Sequence, residues 1–238
     1  MFSQERRLVF MPSFLDLLKE KNNFILIGET GSGKSEIALN IAAMLTQRKG
    51  CTVHLFDLDQ TKAMFRSRDA ENDMVARGVT VHYMPQLLDT PVLVPGIIPH
   101  LIRKDSLSVL DVGGNENAAR MVGCLSDYLT GESTAAFYIL NPYRPWSGSV
   151  ENIRDTMTAV LNACHIETVY FAANPTIGPD TTAKDFQNGL DRLLQDIPTE
   201  ELTGVFVRED LIEDLEQLPG LCYLPLQPYL VYPWQRKW

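Results

Sequence analysis

No stretch of the 238 residues approaches the length of apolar chain that a bilayer-spanning helix needs, so a helical membrane protein is not expected. Cysteine is scarce: Cys51, Cys124, Cys164 and Cys222 are far apart, with no C-x-x-C pair and no histidine spaced to join them. A disulfide framework or a zinc ribbon is therefore excluded as the organising device, and the thiols read as reduced side chains of a cytoplasmic protein. An excess of positive charge is missing too. With 21 Lys and Arg against 30 Asp and Glu the formal charge is −9, which argues against a nonspecific nucleic-acid binder. The opening residues, Met1 to Arg7, are polar and no long apolar run follows, so no signal peptide is expected. The histidines, His54, His82, His100 and His165, show no ligand spacing and read as structural. Repeats, low-complexity tracts and linkers are absent as well, so residues 1–238 are expected to form a single domain.

What is present is organised around Phe24-Ile-Leu-Ile-Gly28-Glu-Thr-Gly-Ser-Gly33-Lys34-Ser35. Four apolar residues read as a buried strand, a glycine-rich turn follows, and Ile37, Ala38, Ile41 and Leu45 then recur at helical spacing. Gly28, Gly33, Lys34 and Ser35 fit G-x-x-x-x-G-K-[ST], the phosphate-binding loop. Its glycines let the backbone curl so that successive N–H groups, from Gly28 through Glu29, Thr30, Gly31, Ser32, Gly33, Lys34 and Ser35 to Glu36, converge on phosphate oxygens. The helix that begins near Gly33 aims its unpaired N–H groups and positive end at the same anion. Lys34 supplies a cation for the β and γ phosphates, and the Ser35 hydroxyl a ligand for Mg2+.

Strand and helix alternate along the rest of the chain, the sequence form of an α/β, three-layer fold with a parallel sheet covered on both faces. The sheet is expected to be mainly parallel, with seven or eight strands and helices on both faces. After a short apolar run at Leu8 to Met11, a helix is expected from Ser13 to about Lys21, with Ser13 as its cap. The loop's helix is expected to end near Gly50. Strands are expected at 52–57, 79–84, 107–111, 136–140, 168–173, 203–207 and 221–224. Pro85, Pro91, Pro95 and Pro99 mark a stretch read as loop. Helices are expected from Ala118 to Leu129, from Val150 to Cys164, after a Thr182 cap, and in the acidic segment from Asp210 to Leu218.

The polar clusters fall at strand carboxyl ends, where parallel sheets gather ligands. They are the glycine loop, Asp57 to Asp59, Asp111 to Gly114, Asn141 to Arg144, and Asn174. Asp111 ends an apolar strand in the manner of a carboxylate that helps hold Mg2+. Asp111-Val-Gly-Gly114 also has D-x-x-G spacing, in which the Gly114 N–H can touch a γ-phosphate. Asp57 and Asp59 lie two apart, and in extended chain both point to one side. One of them can hold water near the metal and the other can orient an attacking water. Arg66, Arg68 and Arg144 follow strands whose ends face the nucleotide, where they can bind phosphate or an acidic second substrate. The alternative for these arginines is pairing with nearby carboxylates. The tail from Tyr229 to Trp238 is aromatic and basic, and its Pro228 and Pro233 favour packing on the body or a partner over a membrane-surface helix.

Together these segments resemble the MinD/ParA branch, the SIMIBI class, of P-loop nucleoside triphosphatases, in the CobQ/CobB/MinD/ParA superfamily. Phe65-Arg-Ser-Arg68, Asp111-Val-Gly-Gly114 and Asn141-Pro-Tyr-Arg-Pro145 look like a group of bacterial ATP-binding proteins within it. The resemblance implies the glycine-loop strand at the centre of the sheet beside the Asp111 strand, ATP with Mg2+, Asp59 as the residue that orients water, and Asn174 at the base. It implies a catalytic set of Lys34, Asp59 and Asp111, and a metal set of Ser35, Asp57 and Asp111. MinD and ParA proteins carry a second lysine directly after the first loop glycine; Glu29 stands there in this chain, so both a monomer and a homodimer stay open. The narrower group has acidic residues after the paired glycines, and in Asn115-Glu116-Asn117 Glu116 alone keeps one. Asn174-Pro-Thr-Ile177 lacks the Lys and Asp of the guanine-reading N-K-x-D stretch, which favours ATP over GTP. An ATP-driven switch is the leading expectation. A ligase or kinase acting on a small acidic metabolite is the alternative.

Overall fold

The computed structural model describes residues 12–59, 66–84, 93–114, 116–129, 131–147, 149–166 and 168–231. The expectations for Leu8 to Met11, Phe65, Pro85, Pro91, Asn115 and the last seven residues of the tail lie outside them. Among the described residues eight strands form one sheet: β1 (Asn23–Ile27), β2 (Thr52–Asp57), β3 (Val79–His82), β4 (Ser106–Asp111), β5 (Thr134–Leu140), β6 (Tyr170–Ala173), β7 (Leu202–Arg208) and β8 (Tyr223–Leu226). The order is β3-β2-β4-β1-β5-β6-β7-β8, and every pairing is parallel. The glycine-loop strand β1 is interior, between β4 and β5. Because all strands run one way, every strand-end cluster named above emerges along the same edge of the sheet.

The core lies on both faces, which is why the strands read as continuous apolar runs instead of alternating ones. Phe24 and Leu26 of β1, Leu107 and Val109 of β4, and Phe137 and Ile139 of β5 point to one side. There they meet α1 (Phe14–Glu20), α2 (Lys34–Leu45) and α3 (Glu71–Ala76). Ile25, Ile27, Leu110, Tyr138 and Leu140 point to the other. That side is covered by α4 (Ile97–Ile102), α5 (Glu116–Gly123), α6 (Val150–Cys164) and α7 (Ala183–Leu194). Each fully buried Leu, Ile or Phe contributes about 1.5–3 kcal/mol of burial. Phe14 fastens α1 to the sheet with rings 4.5 Å from Phe137 and 5.0 Å from Phe206. Ser13 caps α1 by accepting from the Asp16 N–H, and Thr182 caps α7 in a reciprocal box with Asp185.

Several boundaries depart from expectation. Helix α2 ends at Leu45, where Thr46 bonds back to the Ala43 carbonyl; Gly50, at φ +80°, serves the turn into β2. The Pro-punctuated stretch contains α4. Pro99 sits in its first turn, where a missing N–H has no intrahelical partner to lose. Helix α5 stops at Gly123, where an added Cβ would lie 2.4 Å from the Ala163 carbonyl oxygen, so glycine lets α5 approach α6. The acidic segment forms a 3-10 helix over Glu209–Asp214 and no regular helix to Leu218. Its close-spaced carboxylates repel along a helix face.

Candidate nucleotide site

The loop that follows β1 takes its shape from three glycines in conformations that side chains resist: Gly28 at φ +140°, Gly31 at φ +80° and Gly33 at φ +95°. At Gly28 a Cβ would also lie 2.7 Å from the Ile139 carbonyl, and at Gly33 2.1 Å from the Asn174 amide nitrogen. The ammonium of Lys34 turns back into the loop, donating to the carbonyls of Gly28 at 3.0 Å and Glu29 at 2.8 Å. Gly33 caps the N-terminus of α2, so the positive end of that helix opens on the same spot. Lys34 and Ser35 are both buried.

Asp111 ends β4 beside this loop, its Cα in register with Leu26 of β1 on one side and Asp57 of β2 on the other. The chain beyond it presses on the loop: a Cβ on Gly114 would lie 2.5 Å from both the N and Oγ1 of Thr30. A Cβ on Gly113 would lie 3.0 Å from an oxygen of Asp59. Lys34, Ser35, Asp59, Asp111 and Gly114 thus gather at one end of three neighbouring strands, β2, β4 and β1, and Asp59 and Asp111 are buried there.

Asp57 has a different setting. One oxygen accepts from the Asp59 backbone N–H at 3.0 Å; the other accepts from Nε of Arg68 at 2.5 Å and from its backbone N–H at 3.3 Å. Burial, the dominant cause, and the neighbouring Asp111 carboxylate push Asp57 up to about 6, against the pull of Arg68. Arg68 also donates to the carbonyls of Met84 and Asp59. Arg66 pairs with Asp69. Two of the three arginines therefore follow the carboxylate-pairing alternative. The third, Arg144, donates from Nε to the Gly31 carbonyl at 2.8 Å and so clasps the glycine loop itself.

Asn174 donates from its side-chain amide to the Ser32 carbonyl at 2.8 Å, bracing the loop from β6. With Gly31, Gly33, Ser35, Arg144 and Arg208 it lines a cavity of about 690 Å³, within the range that holds a nucleotide-sized ligand. Arg208 fixes the far wall, donating to the carbonyls of Pro179 and Thr181. A second cavity, of about 520 Å³, opens on the other side of the loop between Glu29, Thr30, Gly114, Asn152 and Asp155. The Glu29 carboxylate accepts from the Ser147 hydroxyl at 3.2 Å. Glu36 takes the backbone N–H groups of Tyr229 at 2.6 Å and Leu230 at 3.1 Å, docking the described part of the tail on α2. Burial raises Glu36 to about 7 against the pull of those two bonds. That role for Glu36 had no sequence signal, because its partners lie almost two hundred positions away.

A hard-oxygen donor set of one hydroxyl (Ser35) and one carboxylate (Asp111) next to an anion-binding loop suits Mg2+. Loop, ammonium, helix end and carboxylate together define a nucleotide-binding P-loop protein of the three-layer α/β type. The model of the CobQ/CobB/MinD/ParA nucleotide binding domain (CbiA) matches residues 24–211, and the chain belongs to that family. Among solved structures it is similar to the signal recognition particle receptor FtsY from Elizabethkingia anophelis in complex with GDP. That match has a TM-score of 0.51 and 15% identity, and covers 84% of this chain and 61% of that one. Chloroplast FtsY from Physcomitrella patens is similar at a TM-score of 0.49 and 13% identity, covering 86% and 60%. At 15% identity the likeness to the first of these is one of fold, and the chain spans about three fifths of the length of these receptors. Curated protein sequences give no match.

Proposed function

We propose that the protein is a cytoplasmic Mg-ATP-binding P-loop ATPase of the MinD/ParA type that works as a nucleotide-driven switch. The observation that carries this reading is the Lys34 ammonium held inside a ring of left-handed glycines, with Asp111 ending the adjacent strand. Loop amides from Gly28 to Glu36 and the Lys34 ammonium bind the phosphates. Ser35 and Asp111 hold Mg2+, which when bound neutralises charge on the phosphate oxygens. Asp59 accepts a hydrogen bond from the attacking water and sets its direction. Asp57, with its oxygens committed to Arg68 and the Asp59 backbone, positions Asp59 in this reading and is not assigned as a metal ligand. Gly114 reports the γ-phosphate through its contact with Thr30, and Asn174 and the larger cavity take the adenosine.

The alternative, a ligase or kinase acting on a small acidic metabolite, needs a second pocket that welcomes negative charge. The cavity beside Thr30 and Gly114 is instead lined by Glu29 and Asp155, with no arginine among the described residues that line it. Turnover of Mg-ATP by the purified chain, with no metabolite added, tests the choice. Hydrolysis that is lost in Asp59→Ala supports the switch. Turnover that appears only with an added carboxylic acid supports the transferase. Calorimetry with Mg-ATP and Mg-GTP side by side tests the base.

A further inference from the structure

His54, His82 and His100 lie 28 and 18 positions apart in sequence, yet the fold brings them together. His54 is on β2, His82 ends the edge strand β3, and His100 is on α4, which covers that face of the sheet. One ring nitrogen from each lies within 4.8 Å of the other two. Among the described residues no other group of three His, Cys, Asp or Glu side chains converges this way. Nδ1 of His54 and Nε2 of His82 are 3.0 Å apart. The rings of His54 and His100 are 3.7 Å apart between centroids, and His82 stacks on Phe56 at 4.6 Å. We propose that these three imidazoles form a binding site for a divalent transition-metal ion of the zinc type, separate from the nucleotide site.

The geometry supports it on four counts. Zinc bonds to imidazole at about 2.0–2.1 Å in tetrahedral array, which places ligand nitrogens about 3.3 Å apart. The His54–His82 pair is close to that already, and the widest separation needs to close by at most about 1.5 Å. Next, two of the rings have a hydroxyl partner on a ring nitrogen that fixes their orientation. Nε2 of His54 is 3.0 Å from the Thr52 hydroxyl, and Nδ1 of His100 is 3.4 Å from that of Ser106. With the His54 proton on Nε2, its lone pair faces His82 from Nδ1. Third, burial is the main cause that lowers all three histidines, taking His54 to about 4, so the rings are neutral and their lone pairs available at physiological pH. The adjacent Arg103 cation is engaged through two N–H groups by Asp105, at 2.9 and 2.7 Å. Last, His82 and His100 are partly exposed, which leaves a path of entry and an outward position for water. The site lies three residues back along β2 from Asp57, about 10 Å from the strand end that carries the nucleotide residues.

The test uses the full chain, stripped with chelator, with ZnCl2 as probe and MgCl2 as control. One Zn2+ per chain is expected by calorimetry and elemental analysis, and Co2+ in its place should give the intense visible absorption of a tetrahedral ion. His82→Asn and His100→Gln should each weaken Zn2+ by more than about tenfold, since even loss of an outer partner costs that much. Circular dichroism checks that each variant folds. Zn2+ should also shift the ring-nitrogen resonances of the three histidines in the wild type, a reading that needs no variant. No zinc binding by the wild type, unmoved histidine resonances, or binding that survives in both folded variants would overturn the proposal. Loss of binding in Asp111→Ala with the histidine variants unaffected would place the ion in the nucleotide site and overturn it equally.

Discussion

The Asp57 carboxylate lies 2.5 Å from Nε of Arg68, buried at the carboxyl end of β2 with Asp111 as its register partner on β4. Two acids that close, both out of water, cannot be held charged without a compensating cation. Arg68 is that cation for Asp57. Arg68→Ala should therefore destabilise the protein at neutral pH, by about 1.4 kcal/mol through Asp57 at one unit above its value, because the stranded carboxyl takes up a proton beyond that cost. The loss should shrink below about pH 6, where Asp57 takes up a proton and no longer needs the guanidinium. Urea unfolding on either side of that pH measures it; an equal loss at both would remove Asp57 ionisation from the account.

The contact between Gly114 and Thr30 makes a sharper prediction about function. A Cβ at 114 would meet Thr30 backbone at 2.5 Å, so Gly114→Ala must displace the glycine loop. Affinity for Mg-ATP should fall by about tenfold or more, which corresponds to about 1.4 kcal/mol, within the range of overpacking costs. Gly131→Ala, where an added Cβ meets nothing within 4 Å, serves as the control and should leave affinity unchanged. Calorimetry on both variants decides.

Glu36 sets a pH dependence of stability. Its folded-state value is raised from 4.5 to about 7, so between those values the folded chain holds a proton that the unfolded chain has released. Stability contributed this way falls as pH climbs through that window, by up to about 3 kcal/mol. Asp57 acts in the same direction up to about 6. Glu36→Gln should flatten the upper part of the curve and leave the Asp57 part. Melting temperature against pH for both proteins checks it, and parallel curves would exclude Glu36 as the source.

How much of this was legible in the sequence follows from the range of each contact. The unit β1, glycine loop and α2 was readable because its signals are local: an apolar run, three glycines, then helical periodicity. The parallel sheet, with its strand-end polar clusters along one edge, followed from the alternation of elements. The partner of Arg68 was not readable, since either a surface acid or Asp57 satisfies a guanidinium and only the fold chooses. Helix α4 was hidden by prolines that break helices in their interior and are tolerated in the first turn, where Pro99 stands. The histidines read as structural for want of a spacing motif. A cluster assembled from two strands and a covering helix leaves none to find.

The central claim, that the glycine loop binds a nucleoside triphosphate through Lys34, is tested most directly by calorimetry of Mg-ATP on wild type and Lys34→Ala. One charge pair near 4 Å is worth about 4 kcal/mol at surface-like screening before desolvation is subtracted. The wild type should bind, and the variant should bind about a hundredfold more weakly or not measurably. Equal affinity in the two proteins, or no binding of any nucleoside triphosphate by the wild type, would contradict it.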